Sequence, residues 1–213
     1  IDELSKTPKN CSISKVLFVS TDKACSSVNV YGMCKAISER IVTSMQAHGS
    51  KHVKFLCTRY GNVLESRGSI VPLFKYQSMH ADFLTVTDPD MTRFVMTLDD
   101  SVDLIEHAVY HGKGGETWIP RIPAMRIGDL AELFSELTNK EIKIIGLRPG
   151  EKRHEDLLNE SEAARTYSKK NHYVIGPAYE PGHGHAFTYT SADDVMTKSQ
   201  LKEHLTKLGI FNM

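Results

Sequence analysis

The chain has 213 residues, 40% of them hydrophobic and 24% charged, which is ordinary for a globular protein and enough for one well-buried domain, or one domain plus a small lobe. Its 26 Lys and Arg balance its 26 Asp and Glu, so no global charge calls for nucleic acid or a membrane surface. No apolar run approaches the roughly 20 residues of a membrane span and no signal peptide is visible, so a cytoplasmic protein is expected.

Residues 1–14 are polar, with Pro8 and Asn10, and read as the end of a preceding helix and its loop. Val16 to Val19 is a continuous apolar run, which suits a strand over 16–20 buried on both faces. Ser20, Thr21, Asp22 and Lys23 then place four polar side chains at its C-terminal end. Ala24 to Val28 reads as a loop. Ser27 or Asn29 can cap a helix that runs to about Ala47 and stops at Gly49. Val53 to Arg59 is a second buried strand, with Tyr60-Gly61-Asn62-Val63 at its C-terminal edge. Ile70 to His80 is predicted helical, with Pro72 in the first turn where proline is tolerated.

Further on, Leu84 to Thr87 is a short strand, and Leu98 to Tyr110 an amphipathic helix with Val102, Ile105 and Val109 on one stripe. Glu116 to Ile119 is a strand. Arg126 to Leu137 is a helix with apolar Ile127, Leu130, Leu133 and Phe134, and Ile142 to Ile145 is another strand. Residues 161–190 suggest loops with one strand near Tyr173 to Ile175, and Ser199 to Leu208 is a last helix. The alternation of strands and helices predicts an α/β fold. Cys11, Cys25, Cys34 and Cys57 have no C-x-x-C spacing and read as free thiols in a reducing compartment.

In open α/β sheets, ligands bind at the C-terminal edge of the strands. Tyr31 and Lys35 follow that edge and, four residues apart, share one helix face. An ammonium beside a phenol favours the phenolate, which is what hydride transfer to or from a hydroxyl-bearing carbon needs. Metal readings are weak. His107 and His111 have no third ligand at fixed spacing, His183-Gly184-His185 reads as loop, and His154-Glu155 lacks a second histidine, so no metal is expected.

The succession STDKA, N-x-Y-G-x-x-K, TRYGNV, TDPDMTRF and LRPGEK resembles the polysaccharide-biosynthesis branch of the extended short-chain dehydrogenase/reductase family, in particular its UDP-N-acetylglucosamine 4,6-dehydratases. The resemblance runs from about Val16 to about Leu208 but covers only the second half of such an enzyme. No G-x-G-x-x-G follows a strand and the chain begins at Ile1, so a C-terminal piece is expected, with little activity or cofactor affinity of its own. The implied fold is the C-terminal part of a Rossmann-type doubly wound parallel sheet plus a small mixed α/β substrate-binding lobe. The Rossmann part with the catalytic motif would occupy 1–80. The nucleotide-sugar lobe, interleaved with remaining Rossmann elements, would occupy 81–213.

The resemblance also implies roles. Tyr31, Lys35 and Thr21 would carry out hydride transfer with NADP, NAD being the alternative. Asp22 as acid and Lys23 as base would carry out elimination; a lysine is a base near neutral pH only where burial or a nearby cation favours its neutral form. Ser20, Thr21, Tyr31, Lys35, Tyr60, Gly61 and Asn62 would line the cofactor. Asn62, Arg67, Ser69, Val71, Pro72, Arg93, Arg148 and Glu151 would contact a UDP-sugar, and Arg59 is a further candidate. A homo-oligomer is expected. The family's loop before the tyrosine usually has a proline where this chain has Ser27, which loosens the expected backbone there. Two other activities compete: a 4-epimerase, which would not need Lys23, and a non-catalytic nucleotide-sugar-binding or assembly module.

Overall fold

A computed structural model of the chain describes residues 12–48, 52–180, 182 and 187–211. Most of the expected N-terminal loop, the expected helix stop at Gly49, and His183 and His185 lie outside these residues. The first strand, β1, is Lys15–Val19; a single 3-10 turn, Asp22–Ala24, separates it from helix α1, Val30–His48. Then come β2 (Lys54–Thr58), the two-residue β3 (Asn62–Val63), α2 (Ile70–His80), β4 (Phe83–Val86) and β5 (Thr92–Met96). Helix α3 (Leu98–His111), β6 (Thr117–Pro120), β7 (Ala124–Arg126), α4 (Ile127–Thr138) and β8 (Glu141–Ile144) follow. The last part holds β9 (Asp156–Leu158), α5 (Glu160–Ala163), β10 (Thr166–Lys169), β11 (His172–Ile175), β12 (Tyr189–Thr190) and α6 (Lys198–Lys207).

The chain divides into two compact units, each assembled from three segments. A single cut near residue 80 therefore does not coincide with the division. The first unit contains the chain up to Tyr60, Asp99–Arg121 and Asp156–Tyr189. Its sheet has the order β1-β2-β6-β11-β10. The first three strands are parallel, with Lys15 opposite Lys54 and Cys57 opposite Thr117, while β11 runs antiparallel to β6 and to β10. Period-2 alternation sorts the strand side chains onto two helices. Val16, Phe18, Phe55 and Cys57 pack with Val42 and Met45 of α1. Leu17, Leu56, Trp118 and Val174 pack with Leu104 and Ala108 of α3. Helices on both faces of parallel strands are the doubly wound arrangement. Among the described residues β1 ends the sheet order, with its residues half-buried and Val19 exposed.

The second unit contains Gly61–Leu98, Ile122–Glu155 and the chain from Thr190. Its sheets are small: β3-β5-β7, and β4 parallel to β8. Phe74, Leu84, Val86, Leu130, Phe134, Leu201 and Leu205 form its core, gathered from α2, β4, α4 and α6. Each such side chain, fully buried, contributes roughly 1.5–3 kcal/mol.

Three expectations change. Residues 161–190 hold α5 and a β10–β11 hairpin as well as the expected strand, with Lys170 in the left-handed region at φ 53° in the connection. Strands β5 and β7 were not expected. On α3 the inward residues are Ser101, Leu104 and Ala108, while Val102 and Val109 are exposed. Small Ser101 and Ala108 let the helix sit close to the sheet, and that outweighs the bulkier stripe.

Candidate active site

The β1–β2 ladder continues past the strand ends: Ser20 N donates to Thr58 O at 2.8 Å and Asp22 N to Tyr60 O at 2.9 Å. This holds the 3-10 turn beside the end of β2, at the C-terminal edge of the parallel strands. Thr21 caps the turn through its hydroxyl. Its Oγ1 also donates to Asp22 Oδ1 at 2.8 Å, and Lys23 Nζ donates to the same oxygen at 3.1 Å. Asp22 is 1% exposed, whereas the Lys23 side chain is 34% exposed. Ser20 Oγ, Thr58 Oγ1 and Asp22 Oδ2 are buried with no hydrogen-bond partner among the described residues. Buried polar atoms are rarely left so, and three gathered at two adjacent strand ends fit a polar ligand.

Helix α1 begins against this turn. Asn29 Oδ1 accepts from Gly32 N at 2.9 Å, an N-cap bond, so Asn29 rather than Ser27 is the cap. Ser27 instead donates its hydroxyl to Ala24 O at 3.0 Å, which ties the loop where the family pattern has proline. A Cβ on Gly32 would lie 2.2 Å from Lys23 O; only glycine lets the helix start meet the turn this closely. Tyr31 is exposed on the outer turn of the helix. Lys35 Nζ lies 6.0 Å from the Tyr31 ring centre and 4.8 Å from that of Phe18, and it donates to Val19 O at 3.2 Å. Burial pushes the Tyr60 phenol up, and the nearby Tyr31 adds to the shift. Thr21, Asp22 and Lys23, together with Lys35 beside Tyr31, thus gather at the end of β1.

Arg59 is not available to a ligand. It is 3% exposed, donates to Glu39 at 2.5 and 3.1 Å and to Glu162 at 2.9 and 3.0 Å, and also reaches Leu157 O. Burial would push the Glu162 carboxyl up, but the Arg59 charge and hydrogen bonds outweigh it and hold it below the usual range. No sequence signal pairs these residues, since Glu39 and Glu162 lie far apart in the chain. Gly32 and Asn29, by contrast, were visible in N-x-Y-G-x-x-K without their geometric reason.

In the second unit, a Cβ on Gly61 would lie 2.5 Å from Phe94 Cβ, so this glycine serves close packing. Asn62 Oδ1 and Ser69 Oγ are buried without a partner among the described residues. Ser69 precedes α2 but makes no capping bond. Val71 is buried, Pro72 half-buried and Arg67 exposed. Arg93 is already engaged: its guanidinium donates to the carbonyls of Thr92, Lys152 and Arg153 and pairs with Glu155 at 3.6 Å. Those bonds anchor the segment just after the exposed turn in which Arg148 N donates to Glu151 Oε2. The structure thus brings Arg93 together with the end of the Arg148–Glu151 turn.

A cavity of about 360 Å³ in the first unit, lined by Lys113, Glu116, Tyr167 and Lys169, lies at the opposite, N-terminal edge of β6 and shares no residue with this site. No group of three or more His, Cys, Asp or Glu that could hold a metal occurs among the described residues.

Parallel strands covered by helices on both faces are the arrangement of a Rossmann-type short-chain dehydrogenase/reductase. The chain belongs to the polysaccharide biosynthesis protein family, whose model matches residues 2–177. It is 43% identical over 168 residues to a UDP-N-acetylglucosamine 4,6-dehydratase (inverting) of Campylobacter jejuni, covering 78% of this chain and 50% of that protein. It is 41% identical over 169 residues to a UDP-glucose 4-epimerase of Rickettsia rickettsii, with the same coverage of each chain. An uncharacterized membrane protein of Methanocaldococcus jannaschii is 39% identical over 209 residues, covering 92% of this chain and 63% of that one. Among solved structures, Pen from Bacillus thuringiensis matches with a TM-score of 0.85 and 34% identity, over 93% of this chain and 63% of that one. The chain thus spans between half and two-thirds of the length of these relatives. Among the described residues, no helix is long and apolar enough to cross a membrane.

Proposed function

We propose that this chain carries the catalytic and substrate-binding portion of a nucleotide-sugar 4,6-dehydratase acting on UDP-N-acetylglucosamine. The observation that carries this reading is the Asp22–Lys23 pair, 3.1 Å apart at the strand edge that precedes Tyr31 and Lys35. A 4-epimerase needs the tyrosine and lysine but has no elimination step and so no use for the pair. The epimerase reading stands second because relatives of nearly equal similarity carry that name.

A nicotinamide cofactor, NADP in this reading, would take hydride from sugar carbon 4 and return it at carbon 6. Lys35, with its ammonium at Val19 O at the end of β1, suits a ribose diol at this edge. Tyr31 takes the proton of the 4-hydroxyl, and Thr21 hydrogen-bonds the same oxygen. The ketone formed acidifies the proton on carbon 5, and the Asp22–Lys23 pair removes it and expels the 6-hydroxyl. Arg67, Arg148 and Glu151 are exposed and suited to the nucleotide, with Asn62, Ser69, Val71 and Pro72 framing it, while Arg93 anchors the turn that holds two of them. Among the described residues Cys34 and Cys57 are free thiols, which suits a reducing, cytoplasmic setting.

The test is turnover of UDP-N-acetylglucosamine with NADP in heavy water by the full-length chain. The expected product is the 4-keto-6-deoxy sugar nucleotide with deuterium at carbon 5 and no net accumulation of reduced cofactor. A 4-epimer free of deuterium at carbon 5 would establish the epimerase instead.

A further inference from the structure

The exposed Arg148–Glu151 turn takes its position from the stem that follows it, Lys152 to Glu155. Arg148 N donates to Glu151 Oε2 and Glu151 N to Arg148 O, so these bonds stay inside the turn. Every residue of the stem, in contrast, is tied to a neighbouring segment of the second unit. Lys152 O and Arg153 O accept from the Arg93 guanidinium at 3.0 and 3.1 Å, and Thr92 N also donates to Arg153 O at 3.0 Å. The Arg153 side chain pairs with Asp88 at 2.7 Å. Glu155 N donates to Ser191 Oγ at 2.9 Å, and Ser191 N donates to Glu155 O at 2.8 Å. Thr92 Oγ1 lies 2.8 Å from His154 Nδ1 and 2.6 Å from Ser191 Oγ. Ser191 is 0% exposed and Thr92 5%, so a bond lost here is not replaced by bulk water.

A hydroxyl carries one proton. Ser191 Oγ accepts from the stem at Glu155 N and has its own proton left for β5, where Thr92 Oγ1 and, at 3.1 Å, Thr92 O are both in reach. One buried oxygen thereby joins the stem to the strand. We infer that Ser191, with Thr92 and His154, is a positioning residue for the nucleotide end of the substrate. It touches no part of the substrate; it fixes the stem from which Arg148 and Glu151 reach the uridine diphosphate. This rests on the reading of that turn as a nucleotide contact. Ser191 lies beyond residues 2–177, the stretch that the family model matches, so the segment after the matched stretch completes the substrate site. The nucleotide is not altered in the reaction, and its contacts are the same in the ground state and in the transition state. Binding lost equally from both raises KM and leaves kcat where it was.

The test is calorimetric titration of the full-length chain with UDP, beside steady-state turnover of UDP-N-acetylglucosamine. Ser191→Ala should raise the Kd for UDP and the KM together by roughly 10- to 100-fold, the worth of one charge-assisted hydrogen bond. Its kcat should stay within about threefold of wild type. Thr92→Val, which removes the hydroxyl at constant shape, should do the same, and Thr92→Ser, which keeps the hydroxyl, should stay near wild type. The decisive comparison is made in a chain that already carries Arg148→Ala and Glu151→Ala. There Ser191→Ala should add nothing to the Kd, because the contacts it acts through are gone. A full further loss in that background would overturn the inference. Equal UDP affinity of wild type and Ser191→Ala, or a fall confined to kcat, would overturn it equally. If Ser191→Ala does not fold, Thr92→Val carries the same comparisons. If Arg148→Ala with Glu151→Ala binds UDP as tightly as wild type, or wild type does not bind UDP, the reading of the turn itself fails and this inference falls with it.

Discussion

Arg59 at the end of β2 donates from Nη2 to Glu39 Oε2 at 2.5 Å and from Nε to Glu39 Oε1 at 3.1 Å. It thereby fastens the strand to the helix that carries Tyr31 and Lys35. The other side of the guanidinium holds Glu162, whose Oε2 also lies 3.9 Å from Cys25 Sγ in the loop before that helix. Arg59→Met leaves two buried carboxylates without their shared cation. Breaking a buried pair in this way costs about 3–5 kcal/mol, to be read as a drop in urea midpoint. The acid limb moves too. A carboxyl held low in the fold contributes stability above its unfolded pKa and loses it as pH falls through the folded value. Arg59→Met should flatten that acid loss; an unchanged acid profile would show that Arg59 does not set it.

Gly32→Ala tests how closely the helix must approach the turn. Helix propensity alone would favour alanine by about 0.5–1 kcal/mol. The added methyl, however, would lie 2.2 Å from the backbone oxygen of Lys23, and backbone cannot yield as a side-chain tip can. Overpacking of this kind costs typically about 1–3 kcal/mol, so the clash wins. The expected result is a net loss of stability, with turnover falling further than stability because Lys23 moves relative to Tyr31. A stabilised and fully active variant would refute the close approach.

How far the sequence carries depends on whether a feature is local. Helix α2 was legible to the residue, because the polar segment before Ile70 and the proline tolerated in its first turn mark its start. Helix α3 was legible as a helix but not in its facing. It carries two apolar stripes, and the one that packs is the stripe whose small Ser101 and Ala108 fit under the sheet. Strands β5 and β7 were missed because three-residue to five-residue strands in a small sheet are held by pairing across the chain, as between Arg93 and Met125, not by their own pattern. Helix α5 did carry a local sign: Asn159 and Glu162 form a capping box. In the candidate site, the residue types and spacing from Ser20 to Lys35 were legible. What was not legible is depth: adjacent Asp22 and Lys23 look equivalent in sequence, and only the fold buries one beneath the other.

The histidines on the other side of the sheet give a pH dependence of opposite origin. His172 lies 5.1 Å from His107 and 5.6 Å from Trp118, ring centre to ring centre. Burial, then the neighbouring His107, holds the His172 imidazole below its ordinary value. The unfolded chain then binds its proton first, so this contribution is intact above about pH 6.5 and is lost as pH falls toward the folded value. His172→Gln should remove part of the fall in melting temperature between roughly pH 7.5 and 5.5. Equal slopes for wild type and variant would mean His172 titrates alike in both states.

Tyr31 and Lys35 share a helix face but should fail differently. Tyr31→Phe removes only a phenolic oxygen on an exposed ring, so folding and cofactor affinity should be retained. The loss falls on proton transfer from the 4-hydroxyl, a contribution of about 10²–10⁴ in rate. Lys35→Met removes a charge and the bond to Val19 O, so it should weaken nicotinamide binding as well as slow oxidation. Single-turnover reduction of bound cofactor separates the chemical step, and calorimetric titration gives the affinity. The expected pattern is a slow Tyr31→Phe with near-native cofactor Kd, and a slow Lys35→Met with a raised Kd. If Tyr31→Phe oxidises carbon 4 within a factor of about three of wild type, less than about 0.7 kcal/mol of barrier, Tyr31 is not the base and the hydride-transfer assignment fails.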